Sequence, residues 1–183
     1  MATYRIETER LVIRPWQLDD VPAFHAMTQD PVMMRYISDG KPWTEDQVNE
    51  FFERQARQLR EVGFCLGALE RKEDTVVMGI GGLQPMGLSG DVEVGWWIQR
   101  DSWGMGYATE LGRAAVHHGF VEAGLPRVAS IAMPANKASR RVMEKLGMTY
   151  HGERTGAELK LRNPRLVLAY YLLSREDYLH SIK

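Results

Sequence analysis

The segment Trp97-Ile98-Gln99-Arg100-Asp101-Ser102-Trp103-Gly104-Met105-Gly106-Tyr107-Ala108-Thr109-Glu110 constrains this chain more than any other. A β-rich run from Asp91 to Gln99 enters a two-glycine turn, then a helical pattern that continues to about Ala123. Gly124 and Pro126 stop that helix. The first N–H groups of a helix lack intrahelical acceptors and carry partial positive charge, so such a junction suits an anion. Gly104 and Gly106 admit unusual dihedrals and keep side-chain bulk away from an approaching phosphate. Alone, the turn reads equally well as purely structural. A dinucleotide turn would need a third glycine, where Thr109 stands, and an acid ending the next strand, where Ala132-Met133 stand. A nucleoside-triphosphate loop would need Gly-Lys-Ser/Thr, a tripeptide this sequence lacks.

The remaining elements follow from pattern. Arg10 to Pro15 reads as a first strand, and Asp19 or Asp20 caps a helix through about Gln29, stopped by Asp30-Pro31. The stretch to Trp43 reads as irregular. Thr44 with Gln47 forms a capping box that opens a helix to about Glu61. Phe64–Glu70 and Thr75–Leu83 form a hairpin, and Asp91–Gln99 adds a third strand to the meander. Arg127–Met133 is a strand, Asn136–Leu146 a helix ended by Gly147, and Met148–Glu153 and Leu166–Leu173 are two closing strands. This order, without regular βαβ alternation, repeats or linkers, predicts one α+β domain over residues 1–183.

Lysine plus arginine total 23 and aspartate plus glutamate 24, a balance that argues against a dedicated nucleic-acid binder. The single cysteine, Cys65, excludes an intrachain disulfide and reads as a buried strand residue. Charged residues from Arg5 to Arg14 argue against a signal peptide, and no apolar run approaches the ~20 residues of a membrane helix. A cytoplasmic location with no membrane partner is the expectation. His117-His118 are adjacent on a helix and point apart, so no metal site is expected there.

Glu93-Val94-Gly95-Trp96-Trp97-Ile98, followed by Trp103 to Glu110, resembles the acetyl-CoA motif of the GCN5-related N-acetyltransferase (GNAT) superfamily. Asn136-Lys137-Ala138-Ser139-Arg140-Arg141-Val142-Met143-Glu144-Lys145-Leu146-Gly147-Met148 is similar to the Asn-x-x-Ser…Glu-Lys-Leu-Gly-Phe helix of its ribosomal-protein N-terminal acetyltransferase (RimJ/RimL-like) branch. Thr8-Glu9-Arg10-Leu11-Val12-Ile13-Arg14 fits the same branch. The resemblance implies a mixed α/β fold: a mostly antiparallel sheet splayed between its fourth and fifth strands and flanked by about four helices. It further implies direct attack of an amine on the thioester of acetyl-CoA, with no metal. The pantetheine arm would pair with backbone around Trp97, Ile98 and Gln99 and with Asn136. Trp103, Gly104, Met105, Gly106, Tyr107 and Ala108 would hold the pyrophosphate. Asp101 departs from the family's usual Gln or Arg, so Arg100, Arg140 or Arg141 is expected to supply the charge, with Arg141 named as a cofactor contact.

For catalysis the resemblance points to Glu93 as the base, against a structural carboxylate, and to Ser139 as a donor to the thiolate, against a local helix hydrogen bond. Many relatives carry a tyrosine where Met143 stands, so no general acid carries over. Trp96-Trp97 read mainly as sheet packing, and Met33 and Met34 as core or as acceptor-pocket lining. The acceptor, a protein N-terminus or a small-molecule amine, is left open, as is a homodimer. The competing readings are a non-catalytic coenzyme A-binding module and a nucleotide-dependent enzyme using the same turn.

Overall fold

The computed structural model describes residues 4–87 and 89–182. The opening residues 1–3 of the segment read as lacking a leader lie outside it. Eight strands form one sheet, in the order β1-β2-β3-β4-β5-β6-β8-β7. They are β1 (Ile6–Glu7), β2 (Leu11–Arg14), β3 (Leu66–Arg71), β4 (Val77–Pro85), β5 (Val92–Ile98), β6 (Arg127–Ala132), β7 (Thr149–Thr155) and β8 (Val167–Ser174). All neighbours are antiparallel except β5 and β6. Those two are joined through helix α4 (Tyr107–His117), and a helical crossover returns the chain in the same direction. The mostly antiparallel mixed sheet expected above is thus present, with its parallel step where the fourth and fifth strands of the sequence reading lie.

The two faces are covered differently. Helices α1 (Val21–Thr28), α2 (Pro31–Met34) and α3 (Glu45–Val62) bring Phe24, Met33, Met34 and Phe51 onto Leu66, Ile80 and Trp97. Phe24 and Phe51 stack at 4.8 Å between ring centroids. On the other face α4 and α5 (Lys137–Lys145) set Leu111, Ala115, Met143 and Leu146 against Val94 and Ile98. Cys65 is buried, and burial pushes its thiol up to about 12, so it is packing rather than a nucleophile.

Several local readings change in three dimensions. Asp20 begins α1 but does not cap it with its side chain. Arg14 takes its carboxylate at 2.8 and 2.9 Å, a charge-assisted pair in a site where both side chains are nearly buried. Asp30 ends one helix and also starts the next, accepting from the N–H of Val32 at 2.8 Å; the stretch read as irregular therefore holds α2. The α4 pattern continues past His117 as a wider π turn over His118–Glu122. The short β1 and a terminal helix α6 (Arg175–Ser181) join the four longer helices without having been read from pattern. The Thr44–Gln47 box forms with both hydrogen bonds, at 2.9 and 3.3 Å.

Candidate active site

β5 and β6 share a single register pair, Glu93 with Ala129, whereas β4–β5 holds seven pairs from Gly79↔Ile98 to Pro85↔Val92. Beyond Glu93 the two parallel strands therefore separate. The hydroxyl of Ser130 donates to Val94 O at 2.9 Å, filling the start of the gap. Which backbone groups face the gap follows from strand alternation. Gln99 N–H donates to Met78 O at 2.8 Å, so Gln99 turns toward β4. Trp103 Nε1 donates to Ile98 O at 2.6 Å, so Ile98 turns the other way. The N–H and C=O of Trp96 and the N–H of Ile98 are thus left along the open edge.

Of the three residues expected to offer backbone here, only Ile98 has a free N–H. Gln99 spends its N–H on Met78 and its carbonyl on Ser102 N–H at 3.0 Å. Trp97 turns its backbone to β4 and contributes its ring. Trp96, one strand alternation away, was not singled out as a backbone contact.

A cavity of about 480 Å³ opens at this gap. Trp96, Trp97 and Ile98 line it from β5, and Ile131 and Ala132 from β6. Asn136, Ser139, Val142 and Lys145 line it from α5, at the spacing of one helix face. Val32, Met33 and Tyr36 close it from the α2 side, and the glycine turn closes the other end.

In the turn, Gly104 and Gly106 have φ of 76° and 82°, the left-handed region. Gly106 directly precedes α4, which has no side-chain cap. Thr109 and Glu110 donate back to Gly106 O, whereas among the described residues the N–H groups of Gly104 to Ala108 find no acceptor. A fan of free donors at a helix start suits an anion. Asp101 is exposed and does not line the cavity, so the family departure puts no negative charge into it.

None of the three arginines expected to supply the charge lines the cavity. Arg100 lies 3.6 Å from Asp30, and Arg140 donates to Tyr171 OH at 3.0 Å. Arg141, named as a cofactor contact, is exposed and off the lined face of α5. Helix phase puts Lys145 beside Gly106 and Thr109 instead. Counting turns from Asn136 and Val142 would have found it. Met105 is exposed with its side chain off the cavity, leaving only its backbone toward the turn, while Trp103, Tyr107 and Ala108 line it.

The turn is anchored from behind. Glu110 accepts from Thr8 Oγ1 at 2.5 Å, Arg10 N–H at 3.0 Å and Arg10 Nε at 2.7 Å, and Arg10 also donates to Met105 O at 3.1 Å. Partial burial opposes ionisation of Glu110, but these donors outweigh it and hold its carboxyl below the usual carboxylate range. The Thr-Glu-Arg opening thus braces the turn from the β1–β2 corner. Glu110→Ala is expected to cost about 1–2 kcal/mol, allowing for solvent screening at Arg10, and to lower the melting temperature by a few degrees. Differential scanning calorimetry checks this; an unchanged melting temperature would make the brace incidental.

Asn136 Oδ1 caps α5 by accepting from Ser139 N–H at 3.1 Å, leaving its amide NH₂ toward the cavity. Ser139 Oγ has no protein partner among the described residues and lines the same space. Met143 is 1% exposed and packs in the core, so the usual tyrosine position does not reach the cavity here. Glu93 lies on the Trp97 side of β5, at the last paired position before the gap, and Gln84 Nε2 donates to it at 3.0 Å. Burial pushes its carboxyl up to about 7, against that one hydrogen bond. Glu93 does not line the cavity itself; Gly95 lies between it and Trp97, where an added Cβ would be in ordinary contact with the Leu66 Cδ atoms and Glu93 Oε1.

Among the described residues no cluster of three or more His, Cys, Asp or Glu is placed to hold a metal. His117 Nδ1 pairs with Tyr178 OH at 2.8 Å, and the His118 ring packs on Tyr4. No described helix is long and apolar enough to cross a membrane.

A sheet parted at one parallel step, with a donor-rich turn below the gap, is the arrangement that the sequence resemblance implied. Residues 10–149 match the acetyltransferase (GNAT) domain family, and the chain belongs to that family. Two Bacillus subtilis relatives are the uncharacterized protein YkkB, 32% identical over 81% of this chain and 87% of that one, and the uncharacterized N-acetyltransferase YnaD, 31% identical over 80% and 84%. A GNAT-family acetyltransferase from Bacillus anthracis superposes with a TM-score of 0.76 at 28% identity, covering 94% of this chain and 99% of that one. RimL, a ribosomal α-N-protein acetyltransferase solved with coenzyme A, shares the fold at 15% identity, with a TM-score of 0.76 over 94% and 99%.

Proposed function

We propose that the 183 residues act as one N-acetyltransferase domain that moves the acetyl group of acetyl-CoA onto a primary amine, a protein N-terminus or a small molecule. The observation that carries this reading is the parting of β5 from β6 after Glu93, directly above the free N–H groups of the Gly104–Ala108 turn. Those donors and Lys145 suit the pyrophosphate of coenzyme A. The open edge at Trp96 and Ile98 suits the amides of an extended arm, as an added strand would. Asn136 NH₂ offers a further donor to that arm.

Bound acetyl-CoA supplies an activated acyl thioester. Around it, the N–H of Ile98 or Trp96 points into the gap, where it would offset negative charge growing on the carbonyl oxygen. The cavity passes through the sheet, because Trp97 faces the α1–α3 side and the glycine turn the α4 side. The amine therefore approaches from the α2 side. Glu93, poised near neutrality on that same side, takes the amine's proton through water. Ser139 Oγ is the hydroxyl available to the departing thiolate, whose own basicity is near that of a cysteine thiol, about 8.5.

The test is calorimetric titration with acetyl-CoA followed by mass spectrometry of a panel of amines. Micromolar binding with acetylated product is expected; no binding would sink the proposal. A second reading, a coenzyme A-binding module without turnover, draws on the burial of Met143, which leaves α5 without a phenol facing the cavity. Binding with no product from any amine would favour it.

A further inference from the structure

The cavity has an uneven charge lining. Among the described residues its lining includes two cations, Arg35 and Lys145, and no aspartate or glutamate. Lys145 stands at the turn, beside Gly106 and Thr109. Arg35 stands at the other end, directly after α2, with Val32 and Tyr36. Two turns hold its backbone: Ile37 N–H donates to Met34 O at 2.8 Å, and Gly40 N–H to Ile37 O at 2.9 Å.

Three acids outside the lining are held in ion pairs. Asp30 caps α2 and faces Arg100, Glu50 pairs with Arg162 at 2.5 Å, and Asp91 pairs with Arg127 at 2.7 Å. Asp39 is exposed, accepts the N–H of Lys41 at 3.3 Å and does not line the cavity. Glu93 lies back from the lining. Arg35 itself has no ion pair or side-chain hydrogen bond among the described residues.

We infer that the acceptor is an amine that also carries an anionic group, a carboxylate or a phosphate, which Arg35 binds at the α2 end of the cavity. A guanidinium presents a planar fork that matches either anion, and with no aspartate or glutamate among the described lining residues it makes this end of the cavity cationic. The same potential repels a polyamine, whose additional ammonium groups would meet no carboxylate in the lining. The anion belongs to a small amino acid or amino phosphate, or to an acidic residue beside a protein N-terminus. The chemistry at Arg35 is the same for both.

This inference rests on the acetyl-transfer reading, and the experiment separates the two. Initial rates are compared for amino acids against their carboxamides, phosphoethanolamine against ethanolamine, an acidic against a neutral N-terminal peptide, and spermidine. Native protein, Arg35→Gln and Arg35→Lys are assayed, each with acetyl-CoA affinity measured by calorimetry. At least one anionic amine is expected to exceed its neutral partner in kcat/KM by about tenfold or more. Arg35→Gln is expected to erase that preference through KM, with kcat and acetyl-CoA affinity held, and Arg35→Lys to keep part of it. The pair that shows the preference identifies the source of the anion.

A preference for spermidine or for the neutral partners overturns the inference while leaving acetyl transfer intact. So does an anion preference that Arg35→Gln leaves unchanged. Failure to bind acetyl-CoA, or binding without product from any amine, overturns acetyl transfer and this inference together.

Discussion

Glu93→Gln is expected to lower kcat by about a hundredfold to a thousandfold while leaving acetyl-CoA affinity unchanged. The glutamine keeps the shape of the side chain and can still pair with Gln84, which now donates to Glu93 at 3.0 Å. It cannot accept a proton. In the native protein the rate should rise with pH through about 7, the value to which burial pushes this carboxyl. That limb should disappear in the variant. Steady-state kinetics from pH 5.5 to 8.5 read both effects, and a variant with native kcat would make Glu93 a structural carboxylate.

The same substitution is expected to stabilise the protein above neutrality. The native state raises the Glu93 carboxyl from an ordinary 4.5 to about 7, so between those values it binds the proton more tightly than the unfolded chain does. This contribution is fully present below pH 4.5 and is lost as pH rises through 7. At pH 8 native Glu93 is an ionised group in a poorly hydrated place, and glutamine avoids that cost, about 1–3 kcal/mol. The melting temperature of the variant should exceed that of the native protein by several degrees at pH 8 and match it at pH 4. Lower activity with higher stability is the signature of a group held at a cost for function.

Gly104→Val with Gly106→Val is expected to weaken acetyl-CoA binding by about a hundredfold or more, roughly 3 kcal/mol. Both glycines have positive φ, where a side chain costs on the order of 1–2 kcal/mol and a β-branched one more. A Cβ at Gly104 would meet no protein atom within 4 Å, and one at Gly106 only Arg10 Nη2 at 3.6 Å. The protein therefore does not need the space, whereas a phosphate on the Gly104–Ala108 donors does. The double variant should keep its circular dichroism spectrum and lose binding in calorimetry. Native affinity in a folded double variant would remove the pyrophosphate from this turn.

The legible and illegible parts of the site divide along physical lines. The turn was legible because positive φ, free N–H groups and a helix start are properties of neighbouring residues. The capping box at Thr44 was legible for the same reason. Asp20 was misread because Arg14 and the N–H of Gln17 take its carboxylate away from the first N–H groups of α1. On β5 the run Val94 to Ile98 is apolar on both sides because helices cover both faces of the sheet, so hydrophobic alternation could not fix its phase. That phase decides that Ile98 and Trp96, rather than Gln99, leave an N–H in the gap. On α5 the periodic signal did exist, and it selects Lys145 over Arg141.

By itself the sequence determined the order of the main elements and the glycine turn ahead of a helix start, because hydrophobic period and backbone dihedrals are short-range properties. Tertiary structure alone decided where β5 leaves β6, which acids are already paired, and that Arg35 and Lys145 line one cavity. Those outcomes depend on pairing between strands and helices far apart in the chain, Glu93 with Ala129 and Glu50 with Arg162 among them, and no local pattern encodes that pairing.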